Sequence, residues 1–321
     1  VVNKCENEAR RAAAAEFYEL GLGEPFPISA IHGANAGDLL DMVVKAFPET
    51  EAEADDSVKI AIVGKPNAGK SSLLNKLVGQ ERAIVSPIAG TTRDAVDTLF
   101  EYEGVPLTLI DTAGIRRRGK IDPGVERFSV VRAHKAIERA DVALLMVDAE
   151  IGITAQDLHI AGYILDAWKS TIVLVNKWDA VQKDTYTMNY YTEKILSELN
   201  FMPYVPLLFI SAITGQRVDK VLPLALQVQD ARLARIPTSQ LNKILREAQD
   251  AHPAPSQAGK QLKLYYATQV RSDPPTFLIY VNDPRLMHFS YRRFLENRIR
   301  EAFNFPGTPI RIVLKGKKDT K

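Results

Sequence analysis

Between residues 57 and 235 the chain alternates two hydrophobic patterns. Short, nearly unbroken apolar runs occur at Val58–Val63, Leu107–Ile110, Thr171–Val175 and Pro206–Ile210. Runs of this length predict strands covered on both faces, as in a parallel sheet. A further strand is predicted over Val96–Glu103, while Ser71–Val78 and Val218–Leu233 carry apolar residues at helical spacing. Strands alternating with helices predict an α/β fold with a doubly wound, mostly parallel sheet. After Ile236-Pro237 a second, smaller α/β pattern begins. It reads as helix 238–250, a loop rich in Pro, Ala, Ser and Gly at 251–259, strands Gln261–Arg271 and Thr276–Val281, helix 290–303 and strand Ile310–Lys315.

At 321 residues the chain exceeds one ordinary domain, so two or three are expected. A single cysteine, Cys5, excludes an intrachain disulfide and fits a reducing compartment. No apolar run approaches the roughly 18 residues of a membrane span, so no membrane partner is expected. Charge is unevenly divided. Residues 1–56 hold 4 Lys and Arg against 12 Asp and Glu, 57–235 hold 22 against 20, and 236–321 hold 15 against 7. The acidic stretch 49–56 lacks large apolar residues and reads as a solvated linker. At the basic end, Arg292, Arg293, Arg298, Arg300, Arg311, Lys315, Lys317 and Lys318 predict a phosphate-bearing partner. Arg116, Arg117 and Arg118 pose the same question in a loop.

The chemistry is carried by loops at the ends of predicted strands. Gly64, Lys65, Pro66, Asn67, Ala68, Gly69, Lys70 and Ser71 follow the first strand and lead, with Ser72, into a helix. This is the G-x-x-x-x-G-K-S phosphate loop, in which backbone N–H groups and the helix N-terminus cradle phosphates. Lys70 would reach the β- and γ-phosphates, and the Ser71 hydroxyl would ligate Mg²⁺. The base is set downstream, where Asn176, Lys177, Trp178 and Asp179 follow the Thr171–Val175 strand. Guanine presents two adjacent donors, which one carboxylate, that of Asp179, can accept together. Asn176 would touch the base edge and tie this loop to the phosphate loop, and the Lys177 stem would cover the ring. Ser211 and Ala212 end the next strand, where a backbone N–H can meet guanine O6. GTP is thus favoured over ATP. Asp111, Thr112, Ala113 and Gly114 end the Leu107–Ile110 strand; Asp111 would hold the waters of Mg²⁺ and the Gly114 amide would sense the γ-phosphate. Thr92, in Gly90-Thr-Thr-Arg-Asp94, would close over the ion as a first switch.

The opening residues repeat part of this order. Asn3, Lys4 and Glu6 resemble the guanine loop with Glu in place of Asp, Ser29-Ala30 resembles the second guanine loop, and Asp38–Phe47 has the spacing of a closing helix. Residues 1–48 are expected to be the last third of another nucleotide domain, whose phosphate loop and switches precede Val1.

The elements in this order, with Asp111-Thr-Ala-Gly-Ile-Arg-Arg-Arg-Gly-Lys120, Glu126-Arg-Phe-Ser-Val-Val-Arg132 and Ala136–Asp141, resemble the second GTPase domain of the Der (EngA) family. That resemblance implies two G domains in tandem, a C-terminal KH-like domain lacking the Gly-x-x-Gly loop, and action in assembly of the large ribosomal subunit of bacteria. The implied parts are the end of a first G domain at 1–48, a complete second one at 57–235, and the KH-like domain at 236–321, packed against a G domain. Implied partners are the 50S subunit and rRNA, in a bacterial cytoplasm or an organelle; implied cofactors are GTP and GDP, Mg²⁺ and K⁺. Ile115 stands where Ras-like GTPases carry the Gln that orients water. In potassium-activated relatives the Asn that ligates K⁺ corresponds to Asn67, and such a cation could stabilise developing phosphoryl charge; a role limited to capping the loop is the alternative. Two other functions fit the same motifs. One is a tRNA-modifying GTPase of the MnmE type, whose chains end in a cysteine motif not found here. The other is an RNA-binding scaffold that holds GTP without turnover.

Overall fold

The structure, a computed structural model, describes residues 1–46, 56–79, 83–85, 97–112, 126–255 and 260–316, with backbone alone at 83–85 and 126–130. Thr92, Ala113, Gly114, Ile115, Arg116, Arg117, Arg118, Lys317 and Lys318 lie outside these residues. Packing divides the chain into two units, Val1–Asp55 and Asp56–Lys321.

In the first unit Val2 bridges Pro27 in parallel and Ser29 bridges Ala34. Helix α1 spans Glu8–Ala13, started by an Asn7 side chain that accepts from the Arg10 N–H, and α2 spans Ala36–Ala46.

The second unit is built on β1 (Val58–Gly64), β2 (Ala83–Val85), β3 (Thr98–Tyr102), β4 (Val105–Ile110), β5 (Val142–Asp148), β6 (Ser170–Asn176) and β7 (Leu207–Phe209). Among the described residues these form one sheet in the order β2-β3-β4-β1-β5-β6-β7. From β4 to β7 all neighbours are parallel; β2–β3 and β3–β4 are antiparallel. The strands β5 and β6 are buried at every residue, which is why their sequence shows no alternation. Helices cover both faces: α3 (Lys70–Val78), α4 (Glu126–Arg139), α5 (Ala155–Asp166), α6 (Thr187–Glu198) and α7 (Val221–Leu233). Because successive strand residues point to opposite faces, Ile60, Leu144, Met146, Ile172 and Leu174 meet Leu73, Leu74 and Leu77 of α3 and Val221, Ala225 and Val228 of α7. Ala61, Val63, Leu145, Val173 and Val175 meet Ile137 of α4, Ile164 of α5 and Ile195 of α6 on the other side. Each such Leu or Ile contributes about 1.5–3 kcal/mol by burial. The central strand β5 is one that the sequence patterning above does not pick out.

A smaller sheet in the same unit has the order β10-β9-β8, with β8 at Leu264–Ser272, β9 at Pro275–Val281 and β10 at Arg311–Gly316. One face packs on α8 (Thr238–Ala251) and α9 (Phe289–Phe303) through Leu241, Leu245, Leu295 and Ile299. β8 starts three residues later than Gln261. Its outer edge is closed by α8, because the Asn242 side chain donates to Ala267 O at 2.7 Å and accepts from Ala267 N at 2.8 Å. A free strand edge would invite pairing with other chains.

No break in packing falls at Ile236, whose N–H donates to the Gln269 side chain at 2.7 Å. The two sheets are joined by the turn after α9. Thr171 N donates to Gly307 O at 2.7 Å and Gly307 N donates to Tyr204 O at 2.9 Å. Gly307 has φ +63, and a Cβ there would lie 2.5 Å from Thr171 O, so only glycine fits this approach. Thr308 is fully buried and pairs its hydroxyl with that of Ser170 at 3.1 Å. Arg232, 2 % exposed, bonds Asp273 at 2.5 Å and Trp168 O at 2.8 Å.

Several cations of the basic end also have partners within the chain. Arg300 pairs with Glu296 at 2.9 Å, bonds Thr308 O at 2.9 Å and stacks 3.8 Å over the Tyr204 ring. Arg292 donates to Ile312 O, Arg293 to Asn200 O, and Arg298 to Glu301. Arg311 lies over the Trp168 ring and Lys315 over that of Tyr280. Arg300 serves the joint most fully, since a planar guanidinium can stack and bond several oxygens at once.

Candidate functional site

The parallel strands bring their carboxyl ends to one edge, where open α/β sheets bind ligands. Gly64, Ile110, Asp148 and Asn176 each end a strand there. Gly64 turns the chain with φ +143, and a Cβ on it would lie 2.5 Å from Met146 O on the neighbouring strand. Pro66 and Asn67 are exposed, and Asn67 has φ +63, a left-handed conformation that Asn tolerates better than most residues. Ala68 is buried. Gly69, at φ +98, precedes α3 with no side-chain cap, leaving the helix N-terminus open to an anion. The Lys70 ammonium donates to Gly64 O at 2.8 Å and Lys65 O at 2.5 Å. It lies inside the loop whose phosphates it is expected to meet. Ser71 is exposed and Ser72 half-buried in the first turn of α3.

One side chain joins this loop to the two loops read as guanine-specific. Asn176, 2 % exposed, donates from Nδ2 to Ala68 O at 2.8 Å and accepts at Oδ1 from Ala212 N at 2.8 Å. A Cβ on Gly69 would lie 2.1 Å from Asn176 Nδ2, so the second glycine of the motif is fixed by this contact. Asn176 is therefore a tie between the loops, as expected of it, with one Nδ2 hydrogen and one Oδ1 lone pair engaged. In the second base loop Ser211 N donates to Gln216 O at 3.1 Å and Ala212 N to Asn176.

Asp179 is exposed, placed to meet a ligand. Trp178 is not: it is 2 % exposed, packed against Phe209 and Tyr191, with its N–H donated to Ile210 O. The left-handed Lys177 breaks the strand's alternation, so the indole packs in the core on the face of Val173 and Val175. Lys177 has φ +62 and pairs with Asp148 at 2.6 Å and Glu150 at 3.9 Å. The hydrogen bond it donates to Asp148 raises its pKa above the usual lysine value, so the ammonium is charged at neutral pH.

Asp111 follows β4 with φ +54, and its N–H donates to Asp97 Oδ1 at 2.9 Å. Thr112 is buried and shares a hydroxyl contact of 2.8 Å with Thr98. Two residues absent from the motif reading also belong here. Asp148 holds Lys177, and Asp157 approaches Lys65. The Lys65 side chain is buried, away from the mouth of the loop, with Nζ 3.8 Å from Asp157 Oδ2. Only a carboxylate ending a buried strand, Asp148, carried a local signal.

The first unit repeats the base-side geometry bond for bond. Asn3 Oδ1 accepts from Ala30 N at 3.1 Å, as Asn176 does from Ala212. Cys5 N donates to Ile28 O as Trp178 N does to Ile210 O, and Ser29 N donates to Ala34 O as Ser211 N does to Gln216 O. Lys4 has φ +69 beside +62 for Lys177. Glu6 differs: its carboxylate pairs with Arg10 at 2.9 Å, so it is not free to receive a base as Asp179 is.

Known proteins fit this geometry. The family described as the KH-domain-like C-terminal domain of EngA bacterial GTPases matches residues 235–315, and the one described as 50S ribosome-binding GTPase matches 59–177. The chain is 51% identical to GTPase Der of Listeria welshimeri over 99% of this chain and 73% of that protein. It is 53% identical to GTPase Der of Herpetosiphon aurantiacus over 99% and 70%. A crystal structure of Aquifex aeolicus Era bound to GDP and AlF₄⁻ matches at 23% identity over 82% of this chain and 95% of Era, with a TM-score of 0.42, too loose to add an argument. Sharing half its residues with such relatives along nearly its whole length, the chain belongs to the Der (EngA) family of GTPases.

Proposed function

We propose that this GTPase works in assembly of the large ribosomal subunit, binding GTP or GDP at the strand edge through Gly64–Ser72, Asn176–Asp179 and Ser211-Ala212. The observation that supports the nucleotide reading best is the Asn176 tie, which sets a phosphate loop and two base loops at fixed separation. The same reading assigns residues 57–235 to a complete G domain, 236–321 to a KH-like domain, 1–48 to the end of another G domain, and 49–56 to a linker. It places the protein in the bacterial cytoplasm; no helix among the described residues is long and apolar enough to cross a membrane.

Ser71 in the first turn of α3 and Asp111 at the end of β4 offer a hydroxyl and a carboxylate, hard oxygen donors that fit Mg²⁺. Thr92 would add a second hydroxyl. Bound Mg²⁺ offsets charge on the β- and γ-phosphates. Lys70 would exchange its two loop carbonyls for phosphate oxygens, Lys177 would lay its stem along the base, and Asp179 would accept from both guanine donors. Asp179→Asn replaces that acceptor with a donor amide. GTP affinity should fall by about 100-fold, ~2.7 kcal/mol, while xanthosine triphosphate binding rises. Calorimetric titration with both nucleotides checks this, and unchanged GTP affinity would refute the assignment.

With Ile115 unable to orient water, Asn67 and a K⁺ ion are assigned the stabilisation of phosphoryl charge, with the Gly114 amide at the γ-phosphate. Hydrolysis should run faster in KCl than in NaCl at equal ionic strength, and Asn67→Ala should abolish the difference; equal wild-type rates in both salts contradict it. The 50S subunit, through its rRNA, is the proposed partner. Because the arginines of α9 are used internally, ribosome binding should depend on nucleotide state more than on those arginines. Co-sedimentation of the full chain with purified 50S subunits should differ between GDP and a non-hydrolysable GTP analogue. Equal pelleting in both states, or none, would sink the switch.

A further inference from the structure

Two lysines of the nucleotide site are held from behind by carboxylates of one short segment. Asp148 ends β5 with its side chain 2 % exposed, and it reaches Lys177 at 2.6 Å. Nine residues on, Asp157 is completely buried in the first turn of α5. Its Oδ2 accepts from Thr154 N at 3.0 Å and from the Thr154 hydroxyl at 2.7 Å, forming a capping box. Its Oδ1 makes no hydrogen bond, and neither does the Lys65 ammonium 3.8 Å from Oδ2. Two buried ions that lack full hydrogen bonding are costly unless each compensates the other. The capping box accounts for Asp157 Oδ2 but not for a buried lysine beside it.

The backbone of these lysines is what the nucleotide would meet. Lys65 O receives the Lys70 ammonium at 2.5 Å, so a displacement of Lys65 moves the group that presents Lys70. Lys177 sits in the left-handed region, a conformation costing about 1–2 kcal/mol for a residue with a Cβ, and the Asp148 contact holds it there. We propose that the segment from Asp148 to Asp157 is a brace for both nucleotide loops. Asp148 sets the base loop through Lys177, and Asp157 sets the phosphate loop through Lys65. Both are positioning residues, and the inference rests on the guanine-nucleotide reading of the site.

The two ends of the brace make separable predictions. Asp148→Asn weakens the hold on Lys177, so release of a fluorescent GDP analogue should quicken about tenfold and the KM for GTP rise in parallel, with kcat falling less. The double variant Lys65→Met/Asp157→Asn removes both buried charges together and should unfold no lower than wild type without nucleotide. Its kcat should nonetheless fall about tenfold, because Lys70 loses its preset support, with KM changing less. Thermal unfolding, stopped-flow release and steady-state turnover of the full chain supply the three readouts. If both variants keep GDP release, KM and kcat within about twofold of wild type, the brace is overturned whatever their melting points. A wild-type chain that binds no guanine nucleotide overturns the site reading and the brace with it.

Discussion

The site depends on a single buried amide. Asn176 spends its donor on the phosphate loop and its acceptor on the second base loop, and the motif glycine at 69 exists to let it approach. A buried amide with both ends satisfied contributes modestly, but losing one partner leaves the other group desolvated at about 1–3 kcal/mol. Three loops, the first separated from the second by 108 residues and the second from the third by 36, are thereby set to one geometry before any ligand arrives. Pre-setting of this kind reduces the ordering cost of binding.

The smaller sheet extends that rigidity. Gly307 donates and accepts backbone bonds with β6-adjacent chain at Thr171 and Tyr204, and β6 is the strand that ends in Asn176. The docked element thus grips the amino end of the strand whose carboxyl end holds the nucleotide loops. Arg232, buried, and Arg300, half-buried, seal this contact. A net positive charge in residues 236–321 therefore reflects, in part, cations recruited for packing.

Much of this was legible in the sequence. The G-x-x-x-x-G-K-S and Asn-Lys-x-Asp spacings located the loops because strand ends and helix starts constrain them locally. The repeat at Asn3–Glu6 was legible for the same reason, down to the Asn3–Ala30 bond. Trp178 misled because a motif specifies spacing and not which face a side chain takes; the left-handed Lys177 turns the indole into the core beside Val173 and Val175. The internal partners of the arginines were not legible, because charge along a chain does not reveal acceptors such as Asn200 O or Ile312 O, distant in sequence. Asp148 and Asp157 were overlooked for that reason too, since Lys177 and Lys65 reach them only in three dimensions.

The claim that one amide sets both loops is tested most directly by Asn176→Asp. The substitution keeps the acceptor for Ala212 N but faces Ala68 O with an oxygen in place of a donor, so only the phosphate-loop half of the tie is lost. Calorimetric titration with GDP and ADP, on protein shown to be folded by circular dichroism, should find GDP affinity lowered by about 100-fold, ~2.7 kcal/mol. The preference for GDP over ADP should persist, because the base loops keep their bond. GDP affinity equal to wild type would contradict the account, since the phosphate loop would then stand without Asn176.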